Sequence, residues 1–199
     1  MFDLLETFRV ENGKVEHLSY HQTRVDRSLK DLYQIENGFS LIDYFNHLKL
    51  PAVGLFRGRL LYEEEVKSFE LLPYQENKIK SFSLCEIGEY DYTYKWADRT
   101  YFSMQKKLHP ESDEIIFYSK NLIQDCCIAN LAFFKNGSWF TPKSPLLEGT
   151  TRARLIDDQK IQECDIILDE LMAYERICLI NVFRDLSIEN SLSLPNCIL

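Results

Sequence analysis

A lysine inside an aromatic run is the first residue of this chain that could do covalent chemistry. Lys95 lies between Tyr94 and Trp96, in a stretch that is rich in tyrosine. A lysine amine becomes a nucleophile or a general base when apolar surroundings disfavour its charged form. A surface lysine on an amphipathic segment would show the same local sequence. Lys95 alone therefore does not indicate a site, and other residues must be considered with it.

An acid and a helix start follow the lysine in the order that a site for pyridoxal 5'-phosphate requires. Asp125 is the charged residue of the otherwise uncharged run 121–134, and a buried carboxylate there could keep the ring nitrogen of the cofactor protonated. Gly149, Thr150 and Thr151 begin a predicted helix whose backbone N–H groups and hydroxyls could bind the cofactor phosphate. An edge or turn acid just before a bulge and an ordinary threonine cap are the alternatives.

Several arginines could bind an anionic group of a cofactor or a substrate. His21 and Arg24 lie three residues apart on a predicted helix and so share a face, where Arg24 could be a second phosphate ligand. Arg57 and Arg59 flank Gly58 on a predicted strand and therefore face the same side. They could bind a substrate carboxylate there, or they could point into water.

The composition excludes some classes of binding partner. The formal net charge of -8 argues against general nucleic-acid binding and against electrostatic docking on anionic membranes. The six cysteines include no CxxC pair, so we expect buried free thiols in a reducing cytosol and no metal site. The first residues lack the features of a signal peptide, and no apolar run has the length of a membrane span. We therefore expect a cytoplasmic protein.

The periodicity of apolar residues predicts an α+β fold with two domains. Asn12-Gly13 predicts a tight hairpin turn, because this pair tolerates the positive φ of a type I′ turn. A shift in composition near Gly88 places the boundary between a small N-terminal α/β domain, residues 1–88, and a larger C-terminal domain, residues 89–199. The predicted helices are 19–33, 38–49, 150–158 and 165–173, and the predicted strands are 4–10, 15–18, 53–62, 68–73, 80–87, 114–118, 122–127, 130–134, 139–141 and 177–182.

In their joint order these segments resemble the class IV aminotransferases, the fold-type IV family of pyridoxal-phosphate enzymes. The resemblance covers nearly the whole chain, although the chain begins almost at its first motif, so we expect a trimmed small domain. It implies a cofactor in a cleft between two domains, a homodimer and a small amine or amino-acid substrate. The motifs that carry it are Glu6-Thr7-Phe8-Arg9-Val10 with Asn12-Gly13, His21-x-x-Arg24, Lys95, Asp125-x-x-x-x-Asn130-Leu131, Thr141-Pro142 and Gly149-Thr150-Thr151-Arg152.

The resemblance also implies a role for each matching residue. Lys95 matches the lysine that binds the cofactor covalently and serves as the catalytic base, and Arg24 matches the phosphate-binding arginine. Asp125 stands where the family normally has a glutamate, and its shorter side chain must change the contact with the ring nitrogen. The implied cofactor-binding residues are Lys95, Arg24, Asp125, Asn130, Thr150 and Thr151.

Within the family the chain looks most like aminodeoxychorismate lyase. The segment from Asp125 to Leu131 is similar to an acid-Cys-Cys-x-Ala-Asn-Leu segment of that enzyme, whereas branched-chain enzymes carry a tyrosine at the position of Thr100. The implied reaction is cleavage of 4-amino-4-deoxychorismate to 4-aminobenzoate and pyruvate, in folate biosynthesis. The alternatives are a class IV aminotransferase acting on a branched-chain or D-amino acid, and a pyridoxal-phosphate-binding protein with little catalysis. The implied or candidate substrate-binding residues are Arg99, Asn181, Arg57, Arg59 and Arg184.

Overall fold

The computed structural model describes residues 3–199, and it confirms the predicted α+β class. Met1 and Phe2, with which the predicted small domain starts, lie outside the described residues. The chain divides into two compact units. The first unit extends to Glu76 and includes Tyr94–Asp98, and the second unit comprises Asn77–Thr93 and Arg99–Leu199.

The first unit is an antiparallel sheet covered by two helices on one face. The apolar side chains of alternate strand residues, among them Phe8 and Leu60, pack against Val25 and Leu29 of the first helix. The strands follow the order β2-β1-β3-β4. Its elements are β1 (Leu4–Glu11), β2 (Lys14–Val15), α1 (Leu18–Tyr33), α2 (Leu41–Asn46), β3 (Leu55–Tyr62) and β4 (Val66–Pro73).

The second unit contains a three-stranded and a five-stranded sheet. Their strand orders are β5-β6-β7 and β10-β9-β8-β11-β12, and the buried core between these elements includes Ile116, Phe133 and Ile177. The strands are β5 (Phe82–Glu86), β6 (Glu114–Ser119), β7 (Leu122–Cys126), β8 (Asn130–Lys135), β9 (Ser138–Pro142), β10 (Gln162–Cys164), β11 (Arg176–Ile180) and β12 (Leu192–Ser193). The helices are α3 (Thr100–Leu108) and α4 (Thr150–Asp157), with 3-10 segments at Leu168–Ala173 and Leu194–Asn196.

Two Asn-Gly pairs make hairpin turns, and the first of them is the turn predicted above. Asn12 and Gly13 have φ values of 49° and 78°, and Asn136 and Gly137 have φ values of 51° and 80°. Both pairs therefore adopt the left-handed region that a type I′ turn requires.

Several elements begin or end at residues other than those predicted. The predicted strand 15–18 was wrong beyond Val15, because α1 already begins at Leu18. The predicted helix 165–173 is only a 3-10 segment from Leu168, because the backbone before it bonds to β7 instead, with the Ile123 N–H donating to the Ile166 carbonyl at 2.8 Å. The prediction also missed α3, since Phe102 alone is buried among its described residues and no apolar stripe marks the helix.

The compact units also differ from the predicted domain limits. β5, which the sequence placed in the first domain, pairs in parallel with β6 and so belongs to the second unit. The short segment around Lys95 instead belongs to the first unit, to which its backbone bonds attach it.

We predict that Phe133→Ala lowers the free energy of unfolding by about 3–5 kcal/mol, because it leaves a cavity in the core of the second unit. The Phe133 side chain is fully buried and its ring lies 5.6 Å from that of Tyr174. Leu108→Ala, at a side chain with 68% exposure, should change the same quantity by no more than about 0.5 kcal/mol. Equilibrium urea denaturation measures both, and equal effects would contradict the packing described.

Candidate functional site

The lysine segment is fixed by backbone hydrogen bonds to the beginning of β1. The Leu5 N–H donates to the carbonyl oxygen of Lys95 at 2.8 Å, and Leu4 and Trp96 form an antiparallel bridge. The Trp96 ring and its neighbour Tyr94 pack against the core of the first unit. Lys95 is half-buried. The short strand-like pairing of its backbone with β1 fixes the point from which its side chain extends.

A buried carboxylate, Glu6, binds Arg24 and His21 within the first unit. Arg24 donates from Nε to Oε1 of Glu6 at 2.7 Å and from Nη2 to Oε2 at 2.6 Å. His21 Nδ1 lies 2.6 Å from the same Oε2. All three side chains are buried, so the face of α1 that the spacing of His21 and Arg24 predicted is turned toward β1.

The electrostatics of this cluster follow from burial and from the arginine. Burial disfavours the charged form of Glu6, but the Arg24 guanidinium and the hydrogen bond from His21 outweigh it and hold the pKa of Glu6 at about 2. Burial lowers the pKa of His21, and the charge of Lys95 contributes to the same direction. The imidazole is therefore neutral at pH 7 and donates its Nδ1–H to the carboxylate. Glu6 and Arg24 form the ion pair, and His21 orients it.

Arg57 and Arg59 lie on the opposite face of this sheet. Glu6 pairs with Leu60 across the strands, so these two share the face toward α1, and the flanking arginines face away from it. Arg57 is exposed, and Arg59 forms an ion pair with Glu70 at 3.5 Å. The two arginines share a side, as predicted, but it is not the side that holds Glu6.

In the second unit, Asp125 is an interior acid on β7. Its Oδ1 accepts a hydrogen bond from Asn130 Nδ2 at 2.8 Å, and its Oδ2 accepts one from the Leu147 N–H at 3.0 Å. The residue is only 3% exposed. Burial raises the pKa of Asp125 to about 6, although both hydrogen bonds and the charge of Arg152 oppose this change. The carboxyl is thus buried, although β7 is the edge strand of its sheet and its pairing with β6 is irregular between Ile116 and Tyr118.

Asn130 links this acid to the start of α4. Its Nδ2 also donates to the Leu147 carbonyl at 2.8 Å. A Cβ atom on Gly149 would lie 1.9 Å from Asn130 Oδ1, so the glycine is required for the close approach of this amide. Gly149 caps α4, and the next two residues, Thr150 and Thr151, are buried. The predicted acid, amide and helix start are thus adjacent within the second unit.

Two motif residues beside the helix start have partners of their own. The Arg152 guanidinium donates to the Pro142 carbonyl at 2.8 Å and forms an ion pair with Glu163. The Arg152 guanidinium thus joins α4 to β9 and β10. Thr141 donates its hydroxyl to the Leu131 carbonyl at 2.8 Å, which joins β9 to β8.

The predicted substrate residues Arg99 and Asn181 contact the backbone of residues 126–129, which we call the acid turn because it joins Asp125 to Asn130. Arg99 donates from Nη2 to the Cys127 carbonyl. Asn181 donates from Nδ2 to the Ile128 carbonyl at 3.1 Å. The structure thus places both side chains at this turn.

Arg184 was another candidate for a substrate carboxylate. Its Nη2 donates to the carbonyl oxygen of Asn77, and its backbone N–H donates to Asn181 Oδ1 at 3.1 Å. Both of these contacts are made within the second unit.

Two features of the site were not predicted from the sequence: the role of Glu6 and the hydrogen bond from the Leu147 N–H to Asp125. Glu6 could have been found, because it occupies a position that the alternation of Leu4 and Phe8 on β1 assigns to the core. An acid at such a position requires a buried partner. The Leu147 N–H carries no such signal, since any residue other than proline would offer it.

Two further properties concern residues 3–199 alone. Within this described part of the chain, no cluster of three or more histidine, cysteine, aspartate or glutamate side chains could hold a metal ion. No helix in the same range is long and apolar enough to cross a membrane.

Comparison with known proteins gives the family. Residues 73–188 match the sequence profile of the amino-transferase class IV family, which is more than half of the chain. The chain belongs to the class IV aminotransferase family. An uncharacterised protein of Haemophilus influenzae strain Rd is 31% identical over 189 residues, which are 94% of this chain and 100% of that protein.

Solved structures of class IV relatives confirm the fold-type IV architecture. A protein from Haemophilus somnus 129PT, provisionally named 4-amino-4-deoxychorismate lyase, has 36% identity and a TM-score of 0.84, and the match covers 94% of this chain and 98% of that chain. A hypothetical aminotransferase from Mycobacterium tuberculosis in its pyridoxal-phosphate-bound form has a TM-score of 0.74 at 14% identity, with 91% of this chain and 77% of that chain covered. At that identity the second match shows the fold alone.

We predict that Glu6→Gln destabilises the first unit by about 3–5 kcal/mol at pH 7, because it leaves the Arg24 guanidinium buried without its counter-charge. The pKa of Glu6 is about 2 in the folded chain and 4.5 ordinarily, so the carboxylate contributes fully above pH 4.5 and progressively less as the pH falls toward 2. The difference between wild type and variant should therefore shrink over that range. Urea denaturation at pH 7 and pH 3 measures it.

The matched control for this experiment is Glu11→Gln on the same strand. Glu11 forms a more exposed ion pair with Arg9 at 2.7 Å, which we expect to contribute no more than about 1 kcal/mol. If Glu6→Gln cost no more than Glu11→Gln, the Glu6 carboxylate would not organise the first unit.

Proposed function

We propose that the protein is a pyridoxal 5'-phosphate-dependent lyase that converts 4-amino-4-deoxychorismate to 4-aminobenzoate and pyruvate. The observation that carries the cofactor part of the proposal is the buried Asp125 carboxyl, since a protonated ring nitrogen is the partner that such an acid suits. The lyase part is supported by the similarity to the Haemophilus somnus protein and by the acid-Cys-Cys-x-Ala-Asn-Leu segment.

The residues present fit the chemical groups of this cofactor. As the family resemblance implies, we assign the Lys95 amine to the aldehyde, and the Arg24 guanidinium, which Glu6 orients, to the phosphate. The buried Asp125 suits the ring nitrogen, and the helix start with its two buried threonines, Thr150 and Thr151, suits the phosphate. The first turn of α4, which lies wholly within the described residues, contains no acidic side chain that would repel a phosphate.

Aspartate in place of glutamate does not remove the acceptor that a ring nitrogen needs. The Asp125 carboxyl accepts hydrogen bonds from Asn130 and Leu147 and a further one from the Leu146 backbone, whereas a carboxylate has about four lone-pair sites. The carboxylate therefore retains capacity for a further donor. The two bonds from Asn130 and Leu147 also keep this shorter side chain in one orientation, which a protonated ring nitrogen would require.

The chemistry assigns a separate task to each group. When bound, pyridoxal phosphate supplies an electron sink joined to the amine of the substrate. The Lys95 amine takes the proton from the substrate carbon that bears this amine. The Asp125 carboxylate holds a proton at the ring nitrogen, and Arg24 and the start of α4 bind the phosphate.

In the lyase reaction the bond between the neighbouring ring carbon and the ether oxygen breaks, and the ring becomes aromatic. The leaving group departs as enolpyruvate and takes up a proton to become pyruvate. An aminotransferase would use the same Lys95 and Asp125 but would not break this bond.

The acid turn and Asn181 favour the lyase through their likeness to that enzyme. The proposal includes a homodimer, which the family resemblance implies, and a cytoplasmic location in the folate pathway.

We predict that the purified protein with pyridoxal phosphate releases 4-aminobenzoate from 4-amino-4-deoxychorismate, measured by the fluorescence of the product. Lys95→Ala should reduce the rate by about a thousandfold or more, because it removes the base. Lys107→Ala, at an exposed lysine on α3, is the matched control and should leave the rate unchanged.

Other outcomes of this assay would replace the proposal. Turnover of an amino acid with a keto acid, without release of 4-aminobenzoate, would make the protein an aminotransferase. Bound cofactor without either reaction would make it a pyridoxal-phosphate-binding protein.

A further inference from the structure

The acid turn is held by hydrogen bonds to three successive backbone carbonyls. The Cys126 N–H donates to the Ala129 carbonyl at 3.1 Å, which closes the turn on itself. The carbonyls of Cys127 and Ile128 accept side-chain donors from elsewhere in the second unit. A turn between two strands normally gives such carbonyls to water, so this one is unusually constrained.

Arg99 holds one side of the acid turn and is itself fixed on three sides. Its Nη2 donates to the Cys127 carbonyl, and its Nη1 donates to the Tyr92 hydroxyl at 3.1 Å. Its guanidinium carbon lies 4.9 Å from the centre of the Phe102 ring, a cation–π contact. Arg99 is also the N-cap residue that directly precedes α3, so its side chain connects the start of the helix to the acid turn.

Asn181 holds the other side of the acid turn, from the end of β11. Its Nδ2 donates to the Ile128 carbonyl at 3.1 Å. Its Oδ1 accepts the N–H groups of Phe183 at 2.8 Å and Arg184 at 3.1 Å. The amide is therefore locked in one orientation by its own turn before it meets the acid turn.

The conformation of the acid turn determines the distance and orientation of Asp125 relative to Asn130. Asp125 and Asn130 are joined by a buried hydrogen bond of 2.8 Å, and Asn130 in turn lies against Gly149 at the start of α4. If the carbonyls of Cys127 and Ile128 were released, the turn could relax toward water. The acid would then become more hydrated, and its bond to Asn130 would lose its fixed geometry.

We propose that Arg99 and Asn181 are positioning residues, which hold the acid turn so that Asp125 stays buried against Asn130, and that they do not bind the substrate. The effect on turnover rests on the proposed function. The effect on Asp125 does not, because it concerns the chain without cofactor.

The test uses the variants Arg99→Ala and Asn181→Ser in the full-length, cofactor-free protein. Serine at 181 retains a neutral acceptor for the following N–H groups but is too short to reach the Ile128 carbonyl. The titration of Asp125 is followed by NMR of carboxyl-labelled aspartate. The wild-type midpoint should lie near 6, and both variants should shift it toward the ordinary value of 3.8, because water reaches the carboxyl.

Two controls remove comparable contacts elsewhere in the second unit. Arg176→Ala deletes a guanidinium that donates to the Ser191 carbonyl at 2.9 Å, and Asn196→Ala deletes an amide that donates to Ser193 Oγ at 3.3 Å. Both controls should keep the wild-type midpoint of Asp125. Melting temperatures of all four variants show that each is folded at the temperature of the titration.

Kinetics separate positioning from substrate binding. If Arg99 and Asn181 position Asp125, their variants should lose at least about tenfold in kcat while KM changes by less than about threefold. An unshifted Asp125 midpoint overturns the proposal, whether or not KM rises. A wild type that binds no pyridoxal phosphate would refute the proposed function instead, and the titration of Asp125 would still decide the positioning role.

Discussion

A carboxyl group that is buried in an apolar sheet requires hydrogen-bond donors. In the second unit, Asp125 is such a carboxyl group. Asn130 and the Leu147 N–H donate to it. Their positions impose further requirements, because Asn130 leaves no room for a side chain at residue 149. The glycine that begins α4 is thus explained by an acid on a different element. One buried group accounts for much of the local sequence that could otherwise be attributed to a ligand alone.

Glu6 in the first unit and Asp125 in the second unit are both buried acids, and their pKa values shift in opposite directions. Glu6 faces a permanent cation, Arg24, and its pKa falls to about 2. Asp125 is hydrogen-bonded by a neutral amide and a backbone N–H, and its pKa rises to about 6. The first arrangement is an ion pair that orients an arginine. In the second, the hydrogen-bond donors to the carboxyl are neutral groups, and the effect of burial exceeds theirs.

The sequence predicted the elements whose cause is local. The strand β1, the helix α1 and both Asn-Gly turns follow from periodicity and backbone preference. Helix α3 was not predicted because it lacks an apolar stripe. The predicted helix 165–173 does not form over its full length, because the backbone before Leu168 bonds to β7. No local sequence pattern indicates such a bond. For the site, spacing was enough to pair His21 with Arg24. The contacts of Arg99 and Asn181 with the acid turn join residues far apart in the chain, so their partners could not be predicted from spacing.

We propose that the cofactor becomes attached to Lys95. To test this, the protein is incubated with pyridoxal phosphate, reduced with borohydride and digested, and the added mass is located by peptide sequencing in a mass spectrometer. We expect a single modified site, Lys95, and loss of the modification in Lys95→Ala. Modification of other lysines with Lys95 unmodified, or no modification at all, would refute the attachment at Lys95.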